Sequence, residues 1–133
     1  MKILVVDDEF VSRHKMARIL GKLGECHPVD GGNRAISHFI SAWKKWQPYD
    51  LITLDISMPD KDGIEVVLEL REVEEDKGIS PEKRAKVLMV TASSDRESVV
   101  TSIQAGCDDY IVKPFDSDSV LQKLKKMGFD IDQ

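Results

Sequence analysis

A chain of 133 residues, 41% hydrophobic and 32% charged, suits one soluble globular domain with a core of its own. Its net charge of −5 argues against general nucleic-acid binding, which relies on clustered Lys and Arg. No apolar run approaches membrane-spanning length, the first residues lead into a strand candidate rather than a signal-peptide core, and Cys26 and Cys107 lack metal-site company, so a cytoplasmic protein with reduced thiols is expected.

The first apolar run, residues 3–6, is continuous, as in a strand covered on both faces, and it ends on Asp7-Asp8. Met16, Ile19, Leu20 and Leu23 then repeat at helical spacing, with Gly21 and Gly24 near the helix end. Residues 25–29 form the weakest strand candidate, since Pro28 cannot donate to a ladder and belongs at a sheet edge. Ile36, Phe39, Ile40 and Trp43 give a second helical stripe that stops at Gln47-Pro48, where Trp43 and Trp46 are expected to pack. His14 and His38 read as solvated helix residues and His27 as an edge-strand residue, none with metal-ligand company.

Residues 51–55 form another buried strand, ending on Asp55 and followed by the turn-rich segment 57–63. A third helix runs from Ile64 to about Asp76, with Val66, Val67, Leu70 and Val73 facing inward. The acidic run 72–76 reads as a helix end and loop without a site, and the charged stretch 77–86 as a long surface loop. Residues 87–90 are a strand ending on Thr91; Ser94 or Asp95 caps a fourth helix carrying Val99, Val100 and Ile103 and ending at Gly106. Tyr110–Val112 is a short strand leading into Lys113-Pro114, and Ser117 caps a last helix carrying Val120, Leu121, Leu124 and Met127.

Alternating strand and helix signals imply right-handed crossovers, hence an α/β fold: a three-layer, doubly wound parallel sheet. In such folds ligands bind outside the carboxyl ends of the strands. Asp7, Asp8, Asp55, Thr91 and Lys113 all fall there. Three adjacent carboxylates need a cation or shifted pKa values to coexist at neutral pH. An oxygen-rich acidic site suits a hard cation, and Mg²⁺ takes one or two carboxylates while keeping waters for a phosphate. A carboxylate also serves as a nucleophile toward phosphorus, giving an aspartyl-phosphate. Asp55 as nucleophile, Asp7 and Asp8 for the metal, and Lys113 and Thr91 for the phosphoryl oxygens make a complete set.

The stretches Val5-Val-Asp-Asp8, Leu54-Asp-Ile-Ser-Met-Pro59 with Asp62-Gly63, Thr91-Ala92, Ala105-Gly106 and Lys113-Pro-Phe115 closely resemble the response-regulator receiver domains of two-component signalling, from end to end of the chain. The resemblance implies a flavodoxin-like sheet in the order 2-1-3-4-5, with strand 2 at an edge. It implies Asp55 as phosphoacceptor, charged by a sensor histidine kinase or a histidine phosphotransferase. Mg²⁺ would be held by Asp8 and Asp55, by Asp7 through the metal's water shell, and by the Ser57 backbone carbonyl. Lys113 would pair with the phosphoryl oxygens or with Asp55, Thr91 would swing toward the phosphoryl group, and Tyr110 would change rotamer with it. Ala92 is small, as the family prefers at the phosphoryl entrance, and the bond before Pro114 is one the family commonly holds cis. The switch would reshape the surface of the fourth helix, fifth strand and fifth helix, here including Arg96, Val99, Lys123, Lys125 and Lys126, for a downstream protein. Residues 1–133 are expected to form a single receiver domain that stands alone, because little chain remains after the last helix.

Two positions depart from a common pattern: Ser57 and Ser93 supply no carboxylate, amide or base to orient water, so a long-lived acyl phosphate is expected. The competing reading is a small Mg²⁺-dependent phosphatase or phosphotransferase of the dehalogenase type. Those enzymes place a second acid two residues after the nucleophile, and here that position is Ser57. A fold-only interaction domain is opposed by the intact Asp8, Asp55, Thr91 and Lys113. A flavin site is opposed by Asp7-Asp8-Glu9, which would repel phosphate.

Overall fold

Each continuous apolar run becomes a strand of one parallel sheet, because helices cover it on both faces. The strands are β1 (Lys2–Val6), β2 (Glu25–Val29), β3 (Leu51–Asp55), β4 (Lys86–Thr91) and β5 (Asp109–Val112), in the order β2-β1-β3-β4-β5. Between them run α1 (Phe10–Leu20), α2 (Gly32–Lys44), α3 (Gly63–Asp76) and α4 (Arg96–Ala105), and α5 (Ser117–Lys126) closes the fold. The computed structural model describes residues 1–92 and 96–131, with Arg96 described by its backbone alone. Ser93, the caps expected at Ser94 or Asp95, and the Arg96 side chain lie outside the described residues.

The strand period of two sorts the sheet's side chains into two cores. Leu4, Val6, Ile52, Leu54 and Met89 point to one side, where Phe39 of α2 and Val66 and Leu70 of α3 meet them. Ile3, Val5, Leu51, Leu88 and Val90 point to the other, against Met16 and Leu20 of α1 and Val120 and Leu124 of α5. β2 is the edge strand, pairs only with β1, and carries Pro28 opposite Val5 in register. Strand ends are aligned: Val6 pairs with Leu54, Asp55 with Val90, and Thr91 with Val112. The residues at the carboxyl ends of β1, β3, β4 and β5 therefore converge on one edge of the sheet.

Four expectations need correction. The acidic run is not merely a helix end, because Glu74 is fully buried within α3. Its Oε1 accepts from Arg71 Nη1 at 2.7 Å and its Oε2 from the Ala85 N–H at 2.8 Å. Arg71 also donates to the Ala85 carbonyl at 2.8 Å, the Gly106 carbonyl at 3.0 Å and Asp108 at 3.1 Å. The stretch 77–86 is accordingly not a free loop: it holds a 3-10 turn at Pro81–Lys83 and is tied down at Ala85 before entering β4. α5 is capped by Asp116, not Ser117, in a reciprocal box where Asp116 accepts from Ser119 N–H at 2.8 Å and the Ser119 hydroxyl accepts from Asp116 N–H at 3.1 Å. Trp43 packs as expected, but Trp46 is 82% exposed.

Candidate functional site

Asp7 follows β1 with its side chain buried, and Asp55 ends β3 with 5% of its surface exposed. Asp8 beside them is exposed. One oxygen from each of Asp7, Asp8 and Asp55 lies within 4.8 Å of the others. Lys113, just past β5, reaches into this cluster: its Nζ is 3.0 Å from Asp7 Oδ2, 3.5 Å from Asp55 Oδ2 and 3.8 Å from Glu9 Oε1. Sequence neighbours hold the carboxylates in place. Asp7 Oδ1 accepts from the Glu9 N–H at 2.9 Å, Arg13 Nη1 donates to the Asp7 carbonyl at 2.9 Å, and Asp55 Oδ1 accepts from the Ser57 N–H at 3.3 Å.

Electrostatics follow from that crowding. Burial, reinforced by the Asp7 carboxylate, pushes the Asp55 carboxyl up to about 7, with Lys113 opposing. Burial alone would lower Lys113, but the hydrogen bond to Asp7 and the charges of Asp55, Asp7 and Glu9 outweigh it and hold the ammonium above its usual value. The hydroxyl of Ser12, then Lys113, holds Glu9 below the ordinary carboxylate range. The cluster carries an excess of negative charge that one lysine does not cancel.

Thr91 ends β4, buried at 5% exposure, and its carbonyl accepts from the Lys113 N–H at 2.7 Å. That bond ties two of the expected residues through the backbone. The Lys113–Pro114 peptide is cis, as the resemblance implied. Tyr110 is half-buried on β5, on the sheet face that meets α2 and α3, with the Lys123 ammonium 4.9 Å over its ring. All the expected site residues except Tyr110 thus meet at one end of the sheet, and Tyr110 stands on the adjoining strand face.

Two contributors were not foreseen. Asp60, in the turn after β3, accepts from the Gly32 N–H at 3.2 Å and the Asn33 N–H at 3.0 Å, so it caps α2 from across the fold. α2 has no capping side chain of its own, and a Cβ on Gly31 would stand 3.0 Å from Asp60 Oδ2. Gly63 is the second: a Cβ there would lie 2.4 Å from the Asp55 carbonyl oxygen, so only glycine lets α3 start this close to β3. The Asp62-Gly63 pair pointed to a turn and to the resemblance, whereas no local signal links Asp60 to a helix start 28 residues earlier.

The donor set is made only of oxygens, two of the three carboxylates being buried, which fits a hard divalent cation.

The profile of the response regulator receiver domain matches residues 3–125. The chain belongs to that family. This receiver domain is 34% identical to the chemotaxis protein CheY of Bacillus subtilis, over 94% of this chain and 95% of the relative. The solved response regulator TrrA of Thermotoga maritima, in complex with Mg²⁺-BeF, is 36% identical with a TM-score of 0.75, covering 95% of this chain and 97% of that one. A chain of the CheX-CheY-BeF3-Mg+2 complex from Borrelia burgdorferi is 26% identical with a TM-score of 0.77, over 98% of this chain and 90% of that one. Receiver domains are signalling modules of two-component regulation, not enzymes in the ordinary sense. Among the described residues no helix is long and apolar enough to cross a membrane.

Proposed function

We propose that this receiver domain accepts a phosphoryl group on Asp55 and relays the change to a downstream protein. The reading is carried by the placement of Asp55, a buried carboxylate at the end of β3 with Lys113 3.5 Å away and two further carboxylates alongside. One Asp55 oxygen forms the new P–O bond as the P–N bond to a donor histidine breaks. Asp7, Asp8, Asp55 and the Ser57 carbonyl would hold Mg²⁺, which when bound neutralises phosphoryl oxygens and the surplus carboxylate charge. Lys113 then exchanges its contacts with Asp55 for the phosphoryl oxygens. The Thr91 hydroxyl supplies a hydrogen bond to the same group, and Tyr110 follows on the adjoining strand.

The donor would be a sensor histidine kinase or histidine phosphotransferase. Phe10 and Val11, the first residues of α1, are 68% and 71% exposed next to the acidic cluster, and they rim a groove of about 530 Å³ that extends to Asp116 and Ser117. Exposed apolar residues beside the nucleophile suit a docking donor helix. On the readout side, Val100 and Ile103 of α4 are 43% and 53% exposed, and the last turn of α5 carries Lys123, Lys125 and Lys126. Ser57 offers no side-chain base toward Asp55, in keeping with a long-lived acyl phosphate.

Incubation with Mg²⁺ and acetyl phosphate tests the central claim. Mass spectrometry should show one labile phosphoryl increment that disappears in Asp55→Asn or when EDTA replaces Mg²⁺. A stable Ser or Thr ester, or an increment that survives Asp55→Asn, overturns it.

A further inference from the structure

A groove lies at the other end of the sheet from Asp55, where β1, β3 and β4 begin. It measures about 730 Å³ between the end of α2 and the 3-10 turn before β4. Trp43, Tyr49 and Ile79 line it, and Trp46 stands at its wall. The chain's two tryptophans therefore share one groove.

Trp46 is unusual in its backbone as well as its exposure. α2 closes with the Gln47 N–H bonded to the Ala42 carbonyl at 3.0 Å and the Trp46 N–H to the Trp43 carbonyl at 3.1 Å. This closure puts Trp46 in the left-handed region, at φ 57°, a position that glycine fills without strain. An indole 82% exposed to solvent does nothing for the core there. The chain thus keeps a large aromatic where both folding arguments favour a small residue. Behind it, the Trp43 indole N–H is buried and, among the described residues, is the one buried side-chain polar atom without a hydrogen-bond partner.

Charge narrows the class of occupant. Lys83 and Arg84 line the groove, and Lys44 and Lys45 precede Trp46 at the end of α2, on a chain whose net charge is −5. Asp50 and Glu82 also line it, but Lys83, Arg84 and Lys86 outnumber them, and the Lys2 N–H donates to Asp50 at 2.8 Å. A second copy of the chain, related by a two-fold axis, would set this cationic rim against itself.

We propose that this groove is a second docking site, for an acidic segment of a partner protein that inserts an apolar side chain beside Trp46 and sets its carboxylates against Lys83 and Arg84. Trp46 is the anchor, since exposed tryptophan in a pocket is the residue type that dominates interface energetics. The site is independent of phosphoryl transfer at Asp55: no residue is shared between the two.

The test is selection of a random dodecapeptide display library against the whole protein, with enriched peptides then synthesised and titrated. Expected sequences carry Asp or Glu around one apolar residue, and binding shifts tryptophan emission, both reporters being in the groove. Trp46→Gly should fold with an unfolding midpoint no lower than the parent, because glycine suits the left-handed position, yet bind at least about tenfold more weakly. Lys83→Glu should also weaken binding. The proposal is overturned if the library enriches nothing, if enriched peptides are basic, or if they bind Trp46→Gly as tightly as the parent. Self-association that Trp46→Gly abolishes would assign the groove to a second copy and overturn it equally.

Discussion

Asp55 lies in an environment that resists its own charge. With a folded pKa near 7, against an ordinary value of 3.8, the native state takes up a proton more readily than the unfolded chain does. The sign follows: the metal-free protein gains stability from this group at low pH and loses it as pH rises from the carboxylate range through about 7. In EDTA, the unfolding midpoint of the parent should fall relative to Asp55→Asn between pH 5 and pH 8. Parallel pH profiles for the two proteins would contradict this. Asp60 has the opposite character, since the Asn33 N–H, aided by that of Gly32, holds its carboxyl below the usual range. It fastens the turn carrying the Ser57 carbonyl to the start of α2. Asp60→Ala, which removes the acceptor, should therefore weaken Mg²⁺ binding more than Asp60→Asn, which keeps one. Equal losses in an isothermal titration would reduce Asp60 to a remote charge.

Among the elements, α3 bears the most unexpected duty. Its first turn is fixed by the Asp62 cap on the Glu65 N–H at 2.9 Å, and its last turns hold Glu74 in the core with Arg71. The Arg71 side chain, which is itself largely buried, gathers carbonyls at Ala85 and Gly106 together with Asp108, joining α3 to the entrances of β4 and β5. Removing one partner of such a pair leaves the other charge buried and unpaired, so Glu74→Ala should cost about 3 kcal/mol or more in urea unfolding. A loss below about 1 kcal/mol would mean that the network relaxes around water instead. The elements also differ in how clearly the chain announces them. Runs such as residues 3–6 of β1 are legible because a strand buried on both faces has no polar position to interrupt it. Glu74 was not legible, because the charged residues around it read as solvent-facing. Only the three-residue step back to Arg71 and the orphan N–H of Ala85, eleven residues on, make its burial tolerable.

For the whole molecule, sequence order carries topology and chemistry together. Alternating strands and helices leave few arrangements for a parallel sheet, and the residues expected at its carboxyl edge do meet there. A contact that crosses between elements without a local signature escaped, as with Asp60 on α2, whereas the Asp116–Ser119 box is local and moves the α5 cap by one residue because Asp and Ser both suit an N-cap. Trp46 escaped for another reason: helical spacing says which face a residue occupies, but it does not say that the helix has already ended. Gly63 shows how narrow the tolerances of this molecule are. The carbonyl of the proposed nucleophile and the first turn of α3 occupy nearly the same space, separated only because one position has no side chain. The placement of the Asp55 carboxylate is thus set in part by a missing atom, and the smallest enlargement of the chain at that point would move the proposed reaction centre without touching a single charged group.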